Sequence, residues 1–133
     1  MQLRRHRFQE PELRQLAERP FRGSSSQNLV VLLEQARRRG VRVRVLLDPG
    51  QAVNQPAFAE LRRTSVAVRW FRPERGAKLH AKAVLSDSLL VLGSANWSHH
   101  GLDINHELDV ATGDVEAVKA YAARFEADWQ AAA

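Results

Sequence analysis

Residues 79–107, which read LHAKAVLSDSLLVLGSANWSHHGLDINHE, decide the fold and concentrate the reactive polar groups of the chain. Three polar pairs, each separated by one residue, occur in this stretch: His80 with Lys82, Ser94 with Asn96, and Asn105 with Glu107. Because alternate residues of an extended chain point to the same face, each pair presents both side chains to one side. Strand ends of this kind, laid side by side, would bring an imidazole, a cation, amide donors and a carboxylate into one pocket.

The same stretch contains a hairpin pattern. Apolar runs at residues 81–85 and 89–92 flank the polar triplet 86–88, which predicts two strands with Asp87 in the turn between them. We expect Asp87 to have a structural role, holding this turn or pairing with a nearby arginine. The second strand leads into Gly93, whose missing side chain would let the backbone approach a bound phosphate closely.

The remainder of the chain alternates between helical and strand patterns, which predicts an α/β sandwich. The pattern predicts a helix at residues 28–39, in which Leu29, Leu32, Leu33 and Ala36 face inward and which ends at Gly40. A strand follows at residues 41–47, and then a helix from Asn54 that carries Phe58 and Leu61. Strands at residues 66–71 and 107–111 and a closing helix from Asp114 to about Gln130 complete the predicted elements. In the last strand Leu108 and Val110 are expected to face the core. The closing helix has a predicted buried stripe of Val115, Val118, Ala122, Phe125 and Trp129.

The order and spacing of the polar elements resemble those of the phospholipase D superfamily. The matching residues are His80, Lys82 and Asp87 for the HxKxxxxD motif, Gly93, Ser94 and Asn96 for the following GSxN element, and Asn105 and Glu107 for the third element. More loosely, the resemblance extends from about residue 27 to residue 129. It implies a mixed sheet with helices on both faces, and a metal-independent reaction that needs no cofactor.

Length and composition favour a single domain. The chain has 133 residues, 44% of them hydrophobic, and no cysteine. We expect residues 1–26 to form an arm or linker of uncertain structure without an apolar strand, and residues 27–133 to form one phospholipase D-like domain. No apolar run approaches the 18 or so residues that a membrane span requires, so we expect no stable membrane insertion. Cytoplasm is the default compartment.

The formal net charge of +5 favours a polyanionic partner such as nucleic acid. Arg37, Arg38 and Arg39 lie in the last turn of the predicted first helix, where they are either a solvated helix end or a nucleic-acid contact. Trp97 follows the second polar pair, and it either lines the pocket, stacks on a base, or packs its own loop. The sequence does not decide between these roles, either for the three arginines or for Trp97.

The polar pairs suit the chemistry of a phosphodiester, whose anionic oxygens repel nucleophiles. Lys82 supplies positive charge, Asn96 supplies N–H donors, and Ser94 supplies a hydroxyl for binding the phosphate. His80 is placed to attack phosphorus and form a phosphohistidine. We expect Glu107 to accept a hydrogen bond from the other ring nitrogen of His80, which would fix its tautomer. No metal site is needed to explain these residues.

A single histidine that attacks phosphorus cannot also protonate the leaving oxygen in line. The resemblance implies two HxK motifs around one pseudo-two-fold axis, whereas this chain has one such motif. We therefore infer a C2 homodimer that shares one site. Alternatively, the chain is half of a two-motif protein or pairs with a different HxK-bearing domain.

These observations favour a nuclease that cleaves DNA or RNA, because the chain is basic and no membrane anchor is visible. One alternative is a phosphatidyltransferase or phospholipase half-domain of the cardiolipin synthase type. Another is a basic nucleic-acid-binding module without catalytic activity.

Overall fold

The computed structural model describes residues 2–4, 25–74, 76–96 and 104–133, with side chains described from residue 29 onward. Helices separate the first three strands, three further strands follow in succession, and a closing helix comes after them. The elements are β1 (Gln2–Arg4), α1 (Ser25–Arg38), β2 (Arg42–Leu47), α2 (Asn54–Leu61), β3 (Ala67–Trp70), β4 (Lys82–Leu85), β5 (Leu90–Gly93), β6 (Asp109–Thr112) and α3 (Val115–Ala131). The predicted boundaries at residues 28–39, 66–71 and 107–111 therefore differ from the observed ones by one to three residues.

The strands form one mixed sheet in the order β3-β2-β1-β4-β5-β6. Strands β2 and β3 are parallel, as are β1 and β4, whereas β1 and β2, β4 and β5, and β5 and β6 are antiparallel. Strand β1 lies within residues 1–26, where an arm or linker without an apolar strand was expected. Gln2–Arg4 has no apolar pattern, and main-chain pairing with its two neighbours places it in the sheet. The rest of the predicted arm, residues 5–24, lies outside the described residues.

Helices cover both faces of the sheet, which confirms the predicted α/β sandwich. Helices α1 and α2 pack on one face over a core formed by Val30, Leu33, Ala36, Val41, Val43, Val45, Leu61, Val66, Val68 and Val84. Helix α3 packs on the other face, where Val118 contacts Leu85 and Leu90. Two predicted helix ends are also confirmed. Gly40 ends α1 with a φ of +92°, and the Asp114 side chain accepts a hydrogen bond of 2.8 Å from the main-chain nitrogen of Ala117.

A buried arginine joins β2 to α3. Arg44 is 8% exposed, and its guanidinium donates to Glu126 at 2.7 Å while its Cζ lies 5.2 Å from the ring centroid of Phe125 and 5.1 Å from that of Trp129. The cation is therefore paired and lies between aromatic rings, which compensates for its removal from water. Strand alternation alone did not distinguish Arg44 from the exposed Arg42.

The edge of the sheet differs from the sequence prediction. Leu108 and Val110 were expected to face the core, but they are 76% and 58% exposed. The reason is that α3 packs against β4 and β5 and leaves the edge strand β6 uncovered. Val115, predicted in the buried stripe of α3, is 60% exposed because it lies in the first turn, whereas Val118, Phe125 and Trp129 are buried. None of the described helices is long and apolar enough to cross a membrane.

Candidate active site

The three polar pairs meet at one edge of the sheet. Lys82 begins β4, Gly93 ends β5 directly opposite it, and Asp109 begins β6 directly opposite Gly93. His80 precedes β4, Ser94 and Asn96 follow β5, and Asn105 and Glu107 precede β6. The register of these strands therefore brings the polar residues to a common edge, as the sequence spacing predicts.

His80 and Lys82 form a close pair. Lys82 Nζ lies 2.8 Å from Nδ1 and 2.9 Å from Nε2 of His80, and it donates to the main-chain oxygen of His80 at 2.8 Å. Almost equal distances to both ring nitrogens place the ammonium beside the face of the ring, out of line with either lone pair. His80 is exposed and Lys82 partly exposed, so substrate can reach both groups.

Ser94, Asn105 and Glu107 form a second cluster. Ser94 Oγ donates to Glu107 Oε2 at 2.5 Å, and Asn105 Nδ2 donates to Glu107 Oε1 at 3.1 Å. The Ser94 hydroxyl also accepts from the main-chain nitrogen of Leu108 at 3.1 Å. The loop before β6 is thus tied to the end of β5 through the carboxylate.

This cluster changes two of the predicted roles. The predicted hydrogen bond between Glu107 and His80 is absent among the described residues, and Glu107 accepts from Ser94 and Asn105 instead. The single proton of the Ser94 hydroxyl is donated to Glu107. Ser94 therefore positions that carboxylate, and in this arrangement its hydroxyl does not donate to a phosphate. Asn96 is exposed and has no hydrogen bond to any other described residue, which leaves its amide available for substrate.

The cluster also affects the charge of Glu107. The hydrogen bond from Ser94, followed by that from Asn105 and the positive charge of Lys82, holds the pKa of the Glu107 carboxyl below its usual value. Glu107 therefore stays ionised to a lower pH than an isolated glutamate. An ionised group at this position adds negative charge beside the His80–Lys82 pair.

Replacing Ser94 by alanine is expected to raise the pKa of Glu107 towards its ordinary value, since it removes the main stabilising hydrogen bond. The contribution of the lowered pKa to stability is present above the unfolded-state pKa and lost as pH falls through the folded-state pKa. In Ser94→Ala, protonation of Glu107, and with it the loss of the loop's remaining contact to this carboxylate, should therefore begin at a higher pH than in wild type. Carboxyl ¹³C NMR during an acid titration would measure the shift.

Ser86→Ala is the matched control, because Ser86 accepts from Leu89 in the turn at the other end of β4. It should leave the Glu107 titration unchanged. Identical Glu107 titrations in wild type and Ser94→Ala would contradict the assignment of Ser94.

Gly93 is required by a cross-strand neighbour. A Cβ built on Gly93 would lie 1.6 Å from Asp109 Oδ1 and 2.6 Å from Asp109 Cα. Asp109 Oδ1 also accepts from the main-chain nitrogen of the buried Ala95 at 3.3 Å, which fixes the turn between Ser94 and Asn96. The sequence pattern indicated close approach of a phosphate at this glycine. The structure gives a different reason: the Asp109 side chain occupies the space.

Gly93→Ala is expected to destabilise the chain by about 1–3 kcal/mol or more, since the new methyl group overlaps both side chain and backbone of Asp109. Gly113→Ala is the matched control, because its Cβ would meet nothing nearer than the main-chain oxygen of Ser88 at 3.6 Å. Urea denaturation of both variants measures the difference. Equal stabilities of the two variants would show that the Asp109 contact does not restrict position 93.

Two groups of candidate residues lie away from this edge, and a third cannot be placed. Asp87 lies in the exposed turn at the opposite end of β4, where the Ser86 side chain caps the turn. Arg37, Arg38 and Arg39 end α1 beside the start of β2, which is also the opposite edge, and Arg38 pairs with Glu34 at 2.7 Å. Trp97 and the histidines at positions 99 and 100 lie outside the described residues.

A groove of about 400 Å³ adjoins His80 on the face covered by α3. Most of its lining is apolar, with Phe71, Leu79 and Tyr121 among the contributors. Lys78, Arg124 and Asp128 are its charged residues, and Arg124 donates to Asp128 at 3.0 Å. Burial raises the pKa of the Tyr121 hydroxyl, which keeps it protonated in this setting. Sequence patterns did not predict this groove, because its walls come from a loop and a distant helix.

Comparisons with known proteins agree with this geometry. A family model described as "Cardiolipin synthase, PLD-like domain" matches residues 15–129. The relative named mitochondrial cardiolipin hydrolase from Xenopus tropicalis is 38% identical over 93 residues, which are 69% of this chain and 44% of the relative. The protein of the same name from Homo sapiens is 32% identical over 107 residues, 80% of this chain and 42% of the relative. The chain thus spans less than half the length of these two relatives.

Two solved structures share the fold. Nuc from Salmonella typhimurium, described as a phospholipase D family member, superposes with a TM-score of 0.70 at 17% identity, over 80% of this chain and 72% of that chain. NucT from Helicobacter pylori gives a TM-score of 0.70 at 19% identity, over 81% of this chain and 74% of that chain. Together with the family match over residues 15–129, the shared fold and the motif residues gathered at one sheet edge lead to the conclusion that this chain belongs to the phospholipase D superfamily.

Proposed function

We propose that this protein hydrolyses phosphodiester bonds of DNA or RNA through a covalent intermediate on His80. The observation that carries the proposal is the placement of Lys82 Nζ within 2.9 Å of both ring nitrogens of His80, at the same edge as Asn96 and Glu107. An exposed imidazole beside a fixed cation suits attack on an anionic phosphorus centre. The family and its fold support the same chemistry.

In the proposed first step a ring nitrogen of His80 forms a bond to phosphorus while the bond from phosphorus to the leaving oxygen breaks. Lys82 offsets the charge of the non-bridging oxygens, and the exposed amide of Asn96 donates hydrogen bonds to them. The ionised Glu107 stabilises the imidazolium by charge rather than by a direct hydrogen bond within this chain. Water then attacks phosphorus, the bond to nitrogen breaks, and free His80 returns.

The leaving oxygen must receive a proton, and the attacking water must lose one. We propose that His80 of a second copy performs both transfers in a C2 homodimer, since a histidine bonded to phosphorus has no free nitrogen in line with the leaving group. A different HxK-bearing domain could take the place of the second copy.

A second candidate substrate is a phospholipid. The curated relatives are named cardiolipin hydrolases, and the groove beside His80 has a mainly apolar lining, as an acyl-bearing substrate requires. The net charge of +5 favours nucleic acid, which we keep as the first candidate. Cytoplasm remains our default expectation for the compartment.

One experiment separates these candidates. Purified protein is incubated in EDTA with plasmid DNA, RNA, and vesicles that contain cardiolipin, and its molar mass is measured by light scattering on the same sample. Nucleic-acid cleavage by a dimer supports the first proposal, whereas head-group release alone supports the lipid reading. Salt-sensitive binding without any cleavage would identify a binding module and refute the catalytic proposal.

A further inference from the structure

A buried carboxylate lies one loop away from the candidate nucleophile. Asp48 follows the last residue of β2 and is 5% exposed. Its Oδ1 accepts from the main-chain nitrogen of Gly50 at 2.7 Å, and its Oδ2 accepts from the main-chain nitrogen of Leu79 at 3.0 Å. Acceptance at both oxygens is what an ionised carboxylate offers. Removing a carboxylate from water is costly unless it accepts hydrogen bonds. The two donors, Gly50 and Leu79, therefore stabilise Asp48 and are themselves held by it.

The Leu79 contact joins the loop after β2 to the segment before β4. Strand β1 separates β2 from β4, and its first described residue, Gln2, pairs with Arg44 and Leu85. The Asp48 carboxylate supplies a cross-connection nearer the site edge than these described pairs.

The connection ends one residue before His80. Residues 77–81 precede β4 and are not part of a strand, so the main chain at His80 is not fixed by a ladder. The hydrogen bond from the Leu79 main-chain nitrogen to Asp48 ties this segment to the loop after β2. We infer that Asp48 is a positioning residue, which holds the His80 imidazole in register with Lys82 through the main chain of Leu79.

This inference rests on the proposed function, because it assigns Asp48 a part in the same site. A nucleophile must lie close to the line of attack, and a displacement of about 1 Å can cost roughly 100-fold in rate. Asp48 does not itself reach the His80 ring. Its effect should therefore appear in the rate of the chemical step more than in substrate affinity.

Asp48→Asn tests the inference at almost constant volume. Its amide nitrogen must face either Gly50 or Leu79, where it places a donor against a donor. We expect kcat on bis(p-nitrophenyl) phosphate to fall roughly 10- to 100-fold while KM changes by less than about twofold. We also expect faster hydrogen exchange of the Leu79 amide and changed ring resonances of His80, both measured by NMR without substrate.

Asn54→Ala is the matched control. Asn54 Nδ2 donates to the main-chain oxygen of Asp48 at 3.0 Å, so this variant loosens the same loop and leaves both carboxylate bonds in place. Its kcat, Leu79 exchange and His80 resonances should resemble those of wild type once urea denaturation has verified that both variants are folded. If the two variants change these quantities equally, Asp48 only stabilises the loop and the inference is wrong.

The NMR measurements also separate this inference from the proposed function. A wild-type chain that cleaves no phosphodiester would refute the proposed function alone. Under that outcome, selective changes at Leu79 and His80 in Asp48→Asn would still support the positioning role, and unchanged signals would refute it.

Discussion

A chain in which His80 is replaced by alanine is expected to lose phosphodiester cleavage by roughly 10⁴-fold or more, because the proposed nucleophile is removed. His80 is exposed, so truncation of its side chain should leave the fold intact. Wild-type protein incubated with a short labelled oligonucleotide and quenched in alkali should carry a covalent label, since a phosphorus–nitrogen bond survives base and breaks in acid. The alanine variant should carry none.

His106→Ala is the matched control for this experiment. His106 is also an exposed histidine at the site edge, between Asn105 and Glu107 in the sequence, but the mechanism gives it no role. Its activity and covalent labelling should equal those of wild type. Retention of labelling in His80→Ala, or its transfer to a residue other than His80, would rule out the proposed nucleophile.

The sequence predicts which residues share this sheet edge because the information is local. Alternation places His80 with Lys82, and Asn105 with Glu107, and the short hairpin between β4 and β5 fixes which strand ends meet. Helix ends are equally local, which is why Gly40 and Asp114 could be assigned from the residue type and position alone. The motif also predicts the superfamily, which the family match confirms.

The roles of residues whose partners lie far along the chain could not be predicted from local sequence. Asp48 in an Asp-Pro-Gly sequence indicates only a turn, yet its carboxylate accepts from Leu79, 31 positions away. The alternation of β2 places Arg44 on the polar side of a strand, and only the fold shows its partner Glu126 on α3, 82 positions away. The sequence indicates only that Asp109 belongs to an edge strand, whereas the fold shows that its side chain leaves no room for a Cβ at position 93.

The roles within the site depended on the same distinction. Sequence spacing predicted that Glu107 would lie at the site, but not which neighbour would donate to it. The structure directs the hydroxyl of Ser94 and the amide of Asn105 at this carboxylate, and leaves Asn96 open. Competition among several donors for one acceptor is set by distances of a few tenths of an ångström, which a sequence does not specify.

Replacing Lys82 by methionine is expected to reduce kcat roughly 100- to 1000-fold, a loss typical of removing one stabilising group from a charged transition state. Methionine keeps most of the length of the side chain, so β4 and its pairing with Gly93 should persist. The positive charge beside His80 and its attraction for the phosphate oxygens disappear. The pKa of Glu107 should also rise, since Lys82 helps to lower it.

Lys119→Met separates this local effect from a general loss of positive charge. Lys119 lies near the start of α3, which follows the far end of β6, and it forms only an exposed pair with Glu116 at 3.2 Å. Both substitutions lower the net charge equally, so both should weaken non-specific attraction to a polyanion by a similar amount. Steady-state kinetics at several salt concentrations would then show a similar change of KM in both variants and a loss of kcat in Lys82→Met alone. If kcat fell equally in both, Lys82 would act through net charge, and its assignment to the reacting phosphate would be wrong.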